Sequence, residues 1–276
     1  IFFSVVIDWG QTLNNILYLR RKGMFKKVVA LVVALVIVCT ASFAAETISV
    51  RADVWMPYNG EPGSEKPGYG IEMLKAVFGP QNIEIDYQTM PWNRAVAEAR
   101  EGKFDCLVGA GPGDAEGFVF PSEKMGVMAT DLFVKAGSTV KFTDIEGLKS
   151  MKIGIITDYS YNKELDDYIA ANKDDEQKIF VATGEDALDK MIKMVGAGRI
   201  DGFVENPLVM AQNEAKAEVV SAGQVGSQDD LFIAFSPAKE TSKKYAEMLS
   251  KGIQELRASG KLKEILDKYN ISDWAK

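Results

Sequence analysis

The sequence predicts an α/β protein of two similar lobes, with the chain crossing between them twice, and three observations carry that prediction. First, the stretch Gly198-Arg199-Ile200-Asp201-Gly202-Phe203-Val204-Glu205-Asn206-Pro207 follows a helical stripe of Ala187, Leu188, Met191, Ile192 and Val195, so it closes a helix–strand unit. Second, Gly102-Lys103-Phe104-Asp105-Cys106-Leu107-Val108-Gly109 repeats its order of Gly, basic, apolar, Asp and apolar run, after a stripe through Ala95, Val96 and Ala99. Third, a strand ending in an acid lies upstream of each, at 48–53 and 153–158, so both units read strand, helix, strand, helix, strand.

The first element is not part of either lobe. Met24-Phe25-Lys26-Lys27 is a basic start, 28–39 is an unbroken apolar run, and Ser42-Phe43-Ala44 offers small residues where a signal peptidase reads. Residues 24–44 are therefore expected to be a secretory signal cleaved near Ala44. The run is well short of the roughly 20 apolar residues a membrane span needs. Cys39 follows a bulky Val38, which fits lipoprotein processing poorly. Residues 1–23, which begin with Ile and precede Met24, are read as upstream sequence translated by mistake and are left out of the fold.

Within the 276 residues, Asp and Glu number 39 against 32 Lys and Arg, a formal charge of −7. Removal of residues 1–44 takes five bases and one acid and moves it to −11. Such an acidic chain disfavours nucleic acid and anionic membrane as partners and favours neutral or cationic ligands. Only Cys106 remains, inside an apolar strand, and reads as a small buried hydrophobe. The chain has no His, which removes the commonest general base and the commonest metal ligand. No enzyme activity, cofactor or metal is expected.

Taken in order, 48–52 alternates as a strand and delivers Asp53-Val54-Trp55-Met56-Pro57-Tyr58, whose aromatics either plug the core rim or stack on a ligand. Ile71, Leu74, Lys75 and Phe78 mark a helix ended by Gly79-Pro80, and 83–87 alternates as the second strand. Pro91 suits a helix start. It puts Arg94 in the first turn, where an ion pair with Glu98 at i,i+4 is the plain alternative to a ligand contact. Gly109-Ala110-Gly111-Pro112-Gly113-Asp114 is too glycine-rich for regular structure and lacks the spacing and Lys of a P-loop.

The second unit opens with a strand at 130–135 and a short helical linker at 144–149. A strand at 152–156 then brings Thr157-Asp158-Tyr159-Ser160-Tyr161 to a helix start, where free N–H groups favour an anionic or polar group; the tyrosines serve equally well as packing. A strand at 179–181 precedes the Glu205 unit. Ligands of open parallel sheets sit beyond strand carboxyl ends, so Glu205 is placed either to meet one or to be a solvated turn residue. A last strand at 231–235 leads to the helical stripes Tyr245, Leu249, Ile253, Leu256 and Leu262, Ile265, Leu266, Tyr269, separated by Gly260. The chain thus leaves lobe one (45–126), builds lobe two (127–231) and returns (232–276), with crossings near 122–127 and 231–235 making a hinge.

With these residues in place, the chain from about 48 to 274 resembles the family 3 extracellular solute-binding proteins, the periplasmic components of polar amino acid ABC importers. The matching features are the Pro57-Tyr58 loop, Trp92 before a helix, the Gly-x-x-Asp strands at Asp105 and Asp201, Phe120 before the hinge, Asp144-Ile145-Glu146-Gly147-Leu148, and the Ser259-Gly260-Lys261 break. The resemblance implies a type II periplasmic binding protein fold, two Rossmann-like lobes that clasp a ligand as they close about a hinge. It puts Asp53, Trp55 and Trp92 against the ligand, Gly109, Ala110 and Gly111 where backbone approaches it, Tyr159, Ser160 and Tyr161 at its carboxylate, and Glu205 at its amino group.

One departure matters. The family's arginine for the ligand carboxylate is missing from Asp114-Ala115-Glu116-Gly117, and Arg94 is the nearest candidate to replace it. The expected function is periplasmic capture of a small polar, amine-bearing or amino-acid-like solute by a monomer that docks on an ABC permease in the inner membrane. A ligand sensor or a dehydratase-like enzyme on the same fold is the alternative.

Overall fold

Two five-stranded sheets organise the described residues, 46–184 and 186–275 of a computed structural model, all within the unit Glu46–Lys276. The expected extension 1–23 and signal 24–44 lie outside the described residues. Lobe one begins with β1 (Glu46–Ala52), α1 (Tyr69–Phe78), β2 (Ile83–Thr89), α2 (Trp92–Arg100), β3 (Cys106–Ala110) and β4 (Gly126–Met128). Lobe two follows with β5 (Asp131–Lys135), β6 (Ile153–Ile156), α3 (Lys163–Asn172), β7 (Ile179–Ala182), α4 (Ala187–Gly196), β8 (Gly202–Glu205), α5 (Pro207–Gln212) and β9 (Val219–Gln224). The chain returns through β10 (Asp229–Phe235), α6 (Ser242–Ala258) and α7 (Lys261–Asp267).

The two sheets are built alike. Their orders are β2-β1-β3-β10-β4 and β7-β6-β8-β5-β9. In each, the first strand of a strand–helix–strand–helix–strand unit lies between its two parallel partners, β1 between β2 and β3, β6 between β7 and β8. Successive connections therefore leave in opposite directions, and a crevice opens at the strand carboxyl ends, where such sheets bind ligands. Each sheet also takes in one antiparallel strand from a crossing, β10 against β3 and β5 against β8.

Local chemistry explains the element ends. Asn162 accepts from Leu165 N to cap α3, and Asn206 accepts from Leu208 N to cap α5, whose Pro207 needs no donor partner at the first position. Asp144 accepts from Gly147 N and caps the 3-10 turn Ile145–Ser150. Gly260, at φ 79°, lets α6 stop and α7 start in a new direction.

Both faces of each sheet are covered. Ile48, Val50 and Ala52 meet Leu74, Leu249, Ile253, Leu262 and Ile265 from α1, α6 and α7, while Leu107 and Ala234 meet Trp92, Ala95 and Ala99 from α2. Leu165 and Tyr168 of α3 pack on one side of lobe two, and Met191, Ile192 and Val195 of α4 on the other. Each fully buried Leu or Ile contributes about 1.5–3 kcal/mol by leaving water, which fixes the returning helices to lobe one.

Sheet pairing moves the expected crossings by a few residues. β4 and β10 pair with each other, Met128 opposite Asp229, so both belong wholly to the first sheet. The crossings therefore run through 129–130 and 225–228, and they are joined by Val225 N donating to Thr130 O at 2.7 Å. β4, β9 and α5 are additions to the elements expected from the sequence.

Candidate functional site

The two crevices face each other across a narrow cleft. From lobe one it is lined by Asp53 and Trp55 after β1, Trp92 at the start of α2, Val108 and Gly109 at the end of β3, Asp114 in the glycine loop and Met128 of β4. Lobe two supplies Tyr159 and Ser160 from the turn after β6. No Lys or Arg is among these lining residues.

Trp55 is held flat by its own loop. Its ring stacks on Tyr58 at 4.3 Å with 19° between planes, and Tyr58 N and Asn59 N both donate to Trp55 O. Gly109 passes beneath this indole at φ 86°, a left-handed conformation that favours glycine, and a Cβ there would come a tight 3.3 Å from the Trp55 ring. The Trp55 indole N–H then reaches across to Glu205 Oε1 at 3.4 Å. Glu205 ends β8, a strand covered on both faces, and is only 2 % exposed. Asn206 N donates to the same oxygen at 2.7 Å.

Three carboxyl groups meet here without a counter-cation in the lining. Burial pushes Glu205 up to about 7, against donation from Asn206 N and Trp55 and helped by the nearby Asp53 charge. Burial likewise raises Asp53 to about 6, although the Tyr159 hydroxyl donates to its Oδ2. Asp114 is raised to about 6, again by burial, with Gly111 N donating to Oδ2 at 2.9 Å and Ser160 N to Oδ1 at 3.2 Å. A site of this character offers strong acceptors to a cation and aromatic faces to its alkyl or charged parts.

The lobes touch through polar bonds as well. Asn206 Nδ2 donates to Tyr58 Oη at 3.0 Å, and Asn93 Nδ2 to Asp158 Oδ2 at 3.1 Å on the exposed rim. Asp158 adopts a left-handed φ of 58° that aims it there. Gly113 opposes Ser160 so closely that a Cβ would come 2.8 Å from Ser160 Oγ.

Of the residues singled out in the sequence, Asp53, Trp55, Trp92, Gly109, Tyr159 and Ser160 come together around the cleft, with Glu205 behind Trp55. Ala110 is buried against α2, and Gly111 faces Asp114 rather than the open space. Tyr161 is buried, its hydroxyl accepting from Ile156 N at 2.9 Å. Arg94 stands on the exposed face of α2, paired with Glu98 at 2.9 Å. Asp114, Val108 and Met128 were not expected. Asp114 had a signal all the same: it is an acid in the very segment where a base was looked for. Among the described residues no group of His, Cys, Asp or Glu is arranged to hold a metal ion.

The model for bacterial extracellular solute-binding proteins, family 3, matches residues 48–272. The chain is 24 % identical over 223 residues to the probable amino-acid-binding protein YxeM of Bacillus subtilis (strain 168), covering 79 % of this chain and 81 % of that one. Among solved structures it is similar to a histidine kinase sensor domain with similarity to periplasmic binding proteins, with a TM-score of 0.64, 17 % identity, and 81 % and 95 % of the two chains covered. It is also similar to the amino acid ABC transporter substrate-binding protein AbpA of Streptococcus pneumoniae bound to L-arginine, with a TM-score of 0.62, 18 % identity, and 81 % and 94 % covered.

Proposed function

Because this chain belongs to the bacterial extracellular solute-binding proteins, family 3, we propose that it captures a small polar, amine-bearing or amino-acid-like solute and hands it to an ABC importer. The observation that carries the reading is the bond from Trp55 of lobe one to the buried Glu205 of lobe two. It joins an aromatic wall and an acid across the cleft, where a cationic group closed in by both lobes would lose its water and gain a charge-assisted partner. The name of the Bacillus relative and the absence of His from the chain support binding over chemistry.

In this reading the protein is a periplasmic monomer, exported by residues 24–44 and docking on an inner-membrane permease, and it performs no chemistry. Arg94 would serve a ligand's anionic end only by leaving Glu98. Native mass spectrometry of protein purified without refolding tests the proposal directly. A stoichiometric small polar molecule that is released unchanged is expected. Conversion of that molecule on incubation would show an enzyme instead.

A further inference from the structure

Resting on that reading, we propose that the captured solute is a small organic dication without a carboxylate, because Asp114 fills the place where a ligand's carboxylate would be received. Gly111 N of lobe one and Ser160 N of lobe two converge from opposite sides of the cleft, at 2.9 and 3.2 Å, on the two oxygens of one carboxylate. Paired N–H groups from two lobes form the kind of cradle that holds an anion as the lobes close. Here the anion is part of the chain.

With Asp114 in the cradle, a ligand carboxylate would find its donors used and a negative charge in their place. Like charges brought together in a site poor in water repel strongly, and no lining Lys or Arg offsets them. Arg94 does not relieve the conflict, since it stands exposed on α2 with Glu98 as its partner.

The remaining acceptors ask for positive charge at two poles. Asp114 forms one. Asp53 and Glu205 form the other, and Asp53 acts electrostatically on Glu205. Trp55, Trp92 and Tyr159 line the same cleft, surfaces that suit methylene chains and ammonium or guanidinium groups alike.

The test compares matched pairs that differ only in the carboxylate: putrescine with ornithine, cadaverine with lysine, agmatine with arginine. Calorimetry on the purified protein is expected to show at least one amine bound about tenfold or more tightly than its amino acid. Asp114→Ala frees the two N–H groups and should shift that ratio at least about tenfold toward the amino acid, while Asp114→Asn, which keeps the shape, should weaken the amine alone. Thermal melts of both variants establish that they fold, and the ratio in the parent protein stands without them. Amino acids bound as tightly as their amines would overturn the inference and leave solute capture intact. So would binding of neither series by a protein that carries some other small molecule through purification. If no small molecule of any kind is carried or bound, both readings fall.

Discussion

The Tyr159 hydroxyl of lobe two donates to Asp53 Oδ2 of lobe one, so a neutral donor joins the two lobes at a buried acid. A neutral donor leaves the charge of that acid uncompensated. Burial raises Asp53 to about 6 and Glu205 to about 7, and it pushes the Tyr159 hydroxyl up as well. Acids and aromatics in this arrangement hold protons more firmly folded than unfolded, which makes the stability of the protein sensitive to pH.

The sign of that sensitivity follows from linkage. A carboxyl group raised on folding contributes stability that is fully present below its ordinary value and is lost as pH rises through the folded one. For Asp53, Asp114 and Glu205 the window runs from about pH 4 to about 7. The paired acids Glu46, Asp86 and Glu98 are lowered and act in the opposite sense, but their window lies below their ordinary values, near pH 4. The ligand-free melting temperature should therefore be lower at pH 8 than at pH 5 by about 3 °C or more, since about 1 kcal/mol corresponds to 2–4 °C at this size. Calorimetric scans at the two values check it, and a rise with pH would contradict the burial argument.

Closure can be weakened from the contacts around the cleft. The bond from Asn93 to Asp158 spans the lobes on the exposed rim, so it exists only when they meet. An exposed neutral-to-charged bond of this kind contributes about 0.5–1 kcal/mol, and its loss lowers the closed fraction and hence the apparent affinity. Asn93→Ala should raise Kd about two- to fivefold with little change in melting temperature. Gly113→Ala acts by a different route, wedging a methyl group against Ser160 Oγ, and should raise Kd several-fold while the open lobes stay as stable as before. Small-angle scattering of both variants with saturating and absent ligand separates a closure defect from a binding defect. Equal affinity in both variants would show that these contacts do not form on closure.

The loop that presents Trp55 depends on a residue outside the lining of the cleft. Gly68, at φ 97°, lies so close to this loop that a Cβ would come 2.4 Å from Asn59 Cα and 2.5 Å from Tyr58 O. These are backbone atoms and cannot step aside singly. Gly68→Ala should cost about 3 kcal/mol from the forbidden φ and the clash together, and it should blur the Trp55 stack on Tyr58. Chemical denaturation gives the first quantity and near-ultraviolet circular dichroism the second. A melting curve matching the parent would mean that the loop relaxes freely.

Most of the scaffold was readable because its signals are local. Strands such as β1 alternate, α1 and α4 carry full apolar stripes, and both units repeat one order of residue types. The segments that escaped have weak or conflicting signals. β4 is three residues long, β9 reads Val-Val-Ser-Ala-Gly-Gln without a clean period, and α5 lies behind an Asn206-Pro207 pair that also marks a strand's end. At the cleft, strand ends pointed to Asp53, Gly109 and Glu205. Arg94 and Asp114 show the limit of that reasoning. Whether a base leaves a helix to meet a ligand, or an acid folds back onto Gly111 N and Ser160 N, depends on how two lobes meet, and chain order does not contain that information.

The last prediction concerns Glu205 itself. Its Oε1 accepts from Asn206 N and the Trp55 indole, so part of its role is to hold the strand end and the aromatic wall. The side-chain oxygen of Gln can accept both bonds, which makes Glu205→Gln a change of charge with little change of shape. A charge-assisted bond to an ammonium in a closed cleft is worth about 1.5–3 kcal/mol, and more is lost if the cation stays buried without its partner. Kd for a cationic ligand should therefore rise at least about tenfold, or about 1.4 kcal/mol. The pH profile adds a second readout. In the parent protein a cation binds the ionised acid, so affinity should fall as pH drops from 8 through about 7, where Glu205 takes up its proton, and fall further near 6 as Asp53 and Asp114 do. Glu205→Gln should remove the upper step and keep the lower one. Calorimetry with the identified ligand at pH 8, 7 and 6 measures both. If the variant binds as tightly as the parent with the same profile, Glu205 serves only as the acceptor for Asn206 N and Trp55, and the cation is held by the aspartates.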